Sequence, residues 1–318
     1  MTSAGTTSVA WTREDSFLTA PSTPTYVYPG RNVSVEDVSL QNALQRSRLP
    51  DDNEAVEAIA QTLEGALSVQ YDLVHPWALT DVFGQDGVDD GTGVLEWAMG
   101  AGQMATSRWY LGVDIAGSVA ERELQGAATT QFQIQVSQGQ PVRVTQTLVY
   151  ADEALNTALT PGSIVGGDES PYVFHGGDLQ VDATTQKKMQ QGTLEIANGA
   201  GLDRGWDRTA VDAQLGDAEY TLNASKIATA ETPTNVALAY GSTGATAPQD
   251  SIDAVTGSLD LTRGDGDSIT FPLTGVRPNS YGWDNIPPSG DERVQEAIEM
   301  YVDVVEAAAD VSMADPFA

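Results

Sequence analysis

Residues 127–153, AATTQFQIQVSQGQPVRVTQTLVYADE, constrain the fold more than any other stretch. Phe132, Ile134 and Val136 alternate with Gln131, Gln133 and Gln135. Beyond a Ser-Gln-Gly-Gln-Pro turn, Val142 and Val144 alternate with Arg143 and Thr145. Period-two alternation on both sides of a Gly/Pro turn predicts a β-hairpin. One of its faces is apolar and the other is lined with uncharged amides. The arms are long for a small globular sheet, so the use of the polar face is the question this chain poses.

A second hairpin is predicted in VTGSLDLTRGDGDSITFPLTGV, where Leu259 and Leu261 face Ile269, Phe271 and Leu273. Shorter strand signals lie in GALSVQYDL, YVFHGGDLQVDAT, QGTLEIANG and DAEYTLNAS, and two proline-led segments, PWALTDVFG and TPTNVALAYG, read as short accessory helices closed by Gly84 and Gly241. The order strand, proline-led segment, loop, hairpin occurs twice. It predicts a mainly β chain with two pseudo-repeated modules, 36–160 and 161–286. Two longer helices are expected as well. One is DDNEAVEAIAQTL (51–63), with Val56, Ile59, Ala60 and Leu63 at helical spacing. The other lies in a C-terminal helix and tail, 287–318, with Val294, Ala297, Ile298, Tyr301, Val305 and Ala308 along one stripe.

Residues 1–35 read as an arm without a core of its own, carrying Pro21, Pro24 and Pro29 and the aromatics Trp11, Phe17, Tyr26 and Tyr28. The aromatics predict that the arm is laid across another surface.

Charge narrows the function classes. The chain of 318 residues has 45 acidic against 15 basic side chains, a formal charge of −30, and its only lysines are Lys187, Lys188 and Lys226. The acids are dispersed, which fits a folded protein of a salt-saturated cytoplasm; the rival is an acidic surface made for a basic partner. A surface that grips nucleic-acid phosphates needs clustered Lys/Arg, which this chain lacks. With no cysteine, disulfides, thiol chemistry and cysteine-ligated zinc are excluded. The opening MTSAGTTSVAWTRED has no apolar run, so no signal peptide is expected, and no stretch has the roughly 18 apolar residues of a membrane helix. Synthesis in the cytoplasm and no membrane partner are the expectation.

Catalytic motifs are absent: no GxSxG, HExxH, P-loop or dinucleotide glycine fingerprint occurs. His75 and His175 are isolated and read as structural. Asp86, Asp89, Asp90, Asp265 and Asp267 read as solvated turns, since neither acidic loop completes a calcium loop. No catalytic residue, cofactor or metal is assigned.

From roughly Arg13 to Ile286 the chain resembles the major tail tube protein of tailed viruses, siphovirus-like, and its charge suggests a host among halophilic archaea. The resemblance is carried by the opening TREDSFLTAPSTPTYVYPGR, then EGALSVQYDLVHPWALTDVFG, then the long hairpins. It implies a β-barrel or sandwich whose strands join those of neighbouring copies in a ring. Stacked rings would form a conduit for genomic DNA in the virion tail, beside other tail proteins. A duplicated chain implies a trimer with pseudo-sixfold symmetry, with a hexamer as the alternative. On this reading the hairpin cores named above serve assembly. Trp11, Phe17, Tyr26 and Tyr28 bridge rings, and Gln131, Gln133 and Gln135 are candidates to face the lumen.

Geometry agrees with such a tube. Six modules of four strands give about 24 strands, and at roughly 4.8 Å spacing and about 45° tilt the backbone diameter is about 50 Å. Side chains reduce this to about 40 Å, enough for a duplex to pass without specific binding. At 1 M salt the Debye length is about 3 Å, so most of the acidity is assigned to solubility in brine rather than to repelling DNA. Two other readings stand beside this one: a capsid-decorating or surface-layer subunit, and a carbohydrate-active β-enzyme, which the 7% aromatic content disfavours.

Overall fold

The computed structural model describes residues 7–48, 57–115, 118–155, 164–264, 266–286 and 293–317. The first part of the chain forms β1 (Thr7–Arg13), β2 (Arg31–Gln41), β3 (Gln45–Ser47), β4 (Glu57–Ile59) and β5 (Glu64–Asp72). Helix α1 (Leu79–Phe83) follows, then β6 (Val88–Asp89), β7 (Leu95–Trp97), β8 (Ser107–Ile115), β9 (Ser118–Ser137), β10 (Arg143–Tyr150) and β11 (Asp152–Leu155). The second part runs through β12 (Gly177–Val181), β13 (Thr184–Thr185), β14 (Met189–Ala197), β15 (Gly201–Asp203), β16 (Asp212–Gln214), β17 (Glu219–Ile227) and helix α2 (Thr232–Tyr240). It ends with β18 (Val255–Thr262), β19 (Ser268–Asp284), β20 (Gln295–Val302), β21 (Val304–Val305) and β22 (Ala307–Asp310).

Eight strands build one continuous antiparallel sheet in the order β2-β5-β10-β9-β14-β17-β20-β19. The alternation seen in the sequence fixes its faces: β10 is buried at every second residue, and β14 and β17 follow suit. The two longest strands leave this sheet partway along and continue into a second layer. There the first part of β9 pairs with β8 and β11, and β1 with β8. The first part of β19 pairs with β18, β21 and β22, β18 pairs with β12, and β22 with β7. A left-handed glycine stands in each crossing strand, Gly126 at φ 61° and Gly275 at φ 74°. A side chain at Gly275 would run into Asp303, so glycine is required there by both conformation and space.

One hydrophobic cluster lies between the layers, holding Phe132, Ile134, Val136, Val142 and Val144 together with Leu259, Leu261, Ile269, Phe271 and Leu273. Both short helices occur where the sequence places them. Gly84 caps α1 in the left-handed region, and the Gly241 N–H bonds back to Leu238 at the end of α2. The chain is mainly β, and the described strands form packed antiparallel layers without closing a barrel.

Two expected helices are strands. Residues 295–302 form β20, seated between β17 and β19 and bonded to both. The apolar stripe of a helix and the alternation Glu296, Ile298, Met300, Val302 draw on the same short stretch. The two waiting strand edges decide between them by satisfying the backbone on both sides. In the 51–63 segment, 51–56 lie outside the described residues, while Glu57–Ile59 pairs with Gln45–Ser47.

Residues 7–35 also depart from expectation, because they lie on their own chain. Trp11 exchanges backbone hydrogen bonds with Val27 at 2.9 Å each way, and β1 runs along β8 in unbroken register. The Trp11 ring is 1% exposed, 6.1 Å from Trp109 and 4.9 Å from Phe317. It has no surface left to offer a neighbouring ring. Tyr26 stands edge-on to Tyr110 at 4.9 Å, the Tyr28 carbonyl meets the His75 Nε2 at 2.8 Å, and Phe17 lies close to Gly126. The buried Glu14 carboxylate accepts from Arg108, Thr106, Leu18 and Gly126, fastening the arm where β9 crosses.

Candidate assembly surface

The eight-stranded sheet has one face against the core and one face open. Gln131, Gln133 and Gln135 stand half-buried on the open face, as the alternation requires, with Thr145 and Thr147 of β10 and Thr193 and Glu195 of β14 beside them. Gln131 donates to Glu195 at 2.5 Å. Arg143 donates to Gln70 at 2.7 Å and to Asp72 at 3.1 Å, and Gln70 donates to Thr145 at 3.2 Å. The amides therefore tie neighbouring strands together as well as facing water. No lysine stands on this face: Lys187 and Lys188 precede β14, and Lys226 points into the core.

The ten hairpin-core residues are brought together, but inside the molecule, where every one is at least 94% buried. They hold the layers in register and touch no outer surface. What the sheet offers a partner is its two ends. Among the described residues, β2 is paired only with β5, and the β19 stretch Arg277–Asp284 only with β20. Each carries large apolar side chains in the open: Leu40 is 41% exposed and Trp283 49%, with Val38 and Tyr281 half-covered beside them. None of these four residues is among the candidates that the sequence pattern marks. Tyr281 and Trp283 alternate with Ser280 and Gly282, the signal was there, but in β2 a bulge between Val35 and Asp37 breaks the alternation.

A second exposed apolar group lies at one end of the strands. Leu44 and Ile59 flank the β3–β4 hairpin. The adjoining 204–211 loop, tied to this region by Arg208 and Leu63, presents Trp206 fully to solvent.

Polar groups are also buried on the core side. His75 is held neutral, its pKa pushed down to about 4 by burial, with the Tyr28 carbonyl and Glu169 working against the shift. Asp81 in α1 is pushed up to about 7 by burial, with Ser107 and Arg13 partly offsetting it. Both side chains are almost wholly shielded from solvent. In the loop after β6, the Asp89 carboxylate accepts from the Gly91 and Gly93 N–H groups and Asp90 accepts from Thr92, the bonding of ordinary Asx turns.

A family model described as phage tail tube protein matches residues 5–304. No curated protein matches the chain.

Proposed function

The chain belongs to the phage tail tube protein family, and from that premise we propose that it is the repeating subunit of a viral tail, assembling with itself into stacked rings around a DNA conduit. The observation that carries this reading is the sheet with one covered face and two unfinished edges. Eight strands are an even number in an all-antiparallel sheet, so β2 and β19 run in opposite directions. A copy rotated about an axis alongside the sheet can then add its β2 to β19 antiparallel, and such head-to-tail contacts close a ring.

On this reading the second layer, which covers one face of the sheet, lies outside the ring and the open amide face lies inside. Gln131, Gln133 and Gln135 would then face the lumen. Amides and hydroxyls give passing DNA hydrogen-bonding water without the phosphate grip of lysine. Carboxylates on this face are screened within about 3 Å at 1 M salt. The charge of −30 fits assembly in brine, as for a virus of halophilic archaea.

Strand count sets the bore. Two copies give 16 strands and a clear diameter of only about 23 Å, whereas three give 24 strands and about 40 Å. Around a duplex about 20 Å wide, two copies leave less than about 2 Å on each side, too little for a layer of water, whereas three leave about 10 Å. Stacking of rings is assigned to the end bearing Leu44, Ile59 and Trp206, because exposed apolar groups clustered at one place mark a contact.

Electron microscopy of the purified protein in molar salt tests the reading. Hollow rings or tubes with a bore near 40 Å are expected; dispersed monomers at all salt concentrations, or flat sheets, would overturn it.

A further inference from the structure

The contact between chains can be assigned residue by residue, because the molecule contains an internal junction of the same kind. The strand order β2-β5-β10-β9 in one half of the large sheet matches β14-β17-β20-β19 in the other, and α1 follows β5 as α2 follows β17. Irregularities match too. β9 carries an extra residue, Thr130, opposite the step from Thr147 to Leu148, and β19 carries Asn279 opposite the step from Glu299 to Met300. β8 skips Arg108 against β9 where β18 skips Thr256 against β19. The left-handed Gly126 and Gly275 stand four residues before Thr130 and Asn279 respectively. Gly126 lies in the bulge opposite Arg108 and Gly275 in the bulge opposite Thr256, so each long strand carries two bulges of the same kinds at the same spacing, and that recurrence indicates two copies of one unit.

This matching shifts the repeat by one hairpin from the pattern read in the sequence. The 131–149 hairpin corresponds to β19–β20, and the 255–273 hairpin corresponds to β8–β9.

Within the chain the copies meet where β9 pairs with β14, with Phe132 opposite Ile196 and Ile134 opposite Leu194, all four buried. Carried through the matched registers, Phe132 and Ile134 correspond to Tyr281 and Trp283, and Ile196 and Leu194 correspond to Leu40 and Val38. We propose that β19 of one chain pairs with β2 of a second copy in the register of the internal junction, setting Tyr281 against Leu40, Gly282 against Ser39 and Trp283 against Val38. The apolar side chains left open at the two edges then cover one another on the core side, as their internal counterparts do. The same register sets Asp284 against Asp37, a like-charge pair that salt must screen.

The inference rests on the tube reading but fails separately from it. The chain has no cysteine, so disulfide trapping has no background. Two doubly substituted chains, Trp283→Cys with Val38→Cys and Gly282→Cys with Ser39→Cys, are assembled in molar salt and oxidised. A third, Trp283→Cys with Leu40→Cys, shifts the pair by two residues, beyond disulfide reach. Both in-register pairs are expected to give a ladder on non-reducing denaturing gels that ends at three chains and collapses to the single chain with reductant, and the shifted pair at most a trace. Single-cysteine chains, imaged for tubes, show that each substitution is tolerated. If tubes form but the shifted pair links best, or neither in-register pair links, the register is wrong while the tube stands. If the unsubstituted chain makes no ring, the underlying reading falls first.

Discussion

The Lys226 Nζ lies 3.9 Å from the Glu296 Oε2, and both side chains are completely buried. Gln186 accepts from the ammonium at 2.9 Å, while Asn235 and Thr232 of α2 donate to the carboxylate. Burial pushes the Lys226 pKa down, and Glu296 pulls against that shift. This pair joins β17 to β20 beneath α2, where the other half of the sheet has Tyr71 and Val144.

Lys226→Met is therefore expected to destabilise the subunit by about 3–5 kcal/mol, because it strands a buried carboxylate. Adding Glu296→Leu should restore most of the loss, since an apolar pair of similar volume fits such a site. Urea midpoints of the single and double variants at fixed salt measure both effects; a double variant no better than the single would show that the pair contributes more than its own neutralisation.

His75 and Asp81 give opposite pH dependences. The folded pKa of His75, about 4, lies below its ordinary 6.5, so its contribution is whole above 6.5 and is lost as the pH falls toward 4. The folded pKa of Asp81, about 7, lies above its ordinary 3.8, so its contribution is whole below 3.8 and is lost as the pH rises toward 7. Between about pH 4 and 6.5 the two oppose one another. Asp81→Asn should make stability rise more steeply with pH, and His75→Gln should make it rise less, each by at most about 1.4 kcal/mol per pH unit. Melting temperatures across pH 4–7 read the slopes, and parallel curves for all three proteins would refute the assignment.

The arm is structural for the subunit. Trp11 fills the space between Trp109 and Phe317, and Arg13 donates to Asp315 at 3.2 Å with its guanidinium 4.7 Å from the Phe317 ring. Trp11→Ala should cost about 3–5 kcal/mol, the range for an aromatic removed from a core. Deleting residues 1–30 should yield an unstable subunit rather than a stable one that fails to stack; a deletion variant with the parent's melting temperature would contradict this.

Trp206 is the converse case. Trp206→Ser should leave the subunit's stability within about 0.5 kcal/mol of the parent's, as for other exposed sites, yet shorten tubes to single rings in micrographs. Tubes of unchanged length would remove this end of the molecule from the stacking contact.

Asp284 predicts how assembly responds to salt. Asp284→Asn removes one half of the like-charge pair placed between chains, so rings should persist at lower ionic strength than the parent's. Light scattering during dilution from molar salt measures the midpoint, and an unchanged midpoint would place Asp284 away from Asp37.

Some of this was legible along the chain. Val142, Val144, Phe132 and Ile134 announce their strands and their buried face through alternation, and Gly84 and Gly241 announce where the short helices stop. The lumen candidates Gln131, Gln133 and Gln135 follow from the same alternation, because a strand that buries one face must show the other. Trp11 gave no such signal. Only Val9 alternates with it, too short a run to mark a buried strand, and the surface that covers it includes a phenylalanine 306 positions away.

The sequence alone determined which stretches could be extended, which face of each would be apolar, and that lysine would be scarce wherever water was met. Those are properties of neighbours two to four residues apart. Tertiary structure alone decided that 295–302 is a strand, that the arm lies on its own chain, and that β9 meets β14 while, among the described residues, the outer edges of β2 and of Arg277–Asp284 in β19 meet no further strand. Backbone hydrogen bonds in a sheet are made with whichever edge is available, and availability is a property of the whole fold.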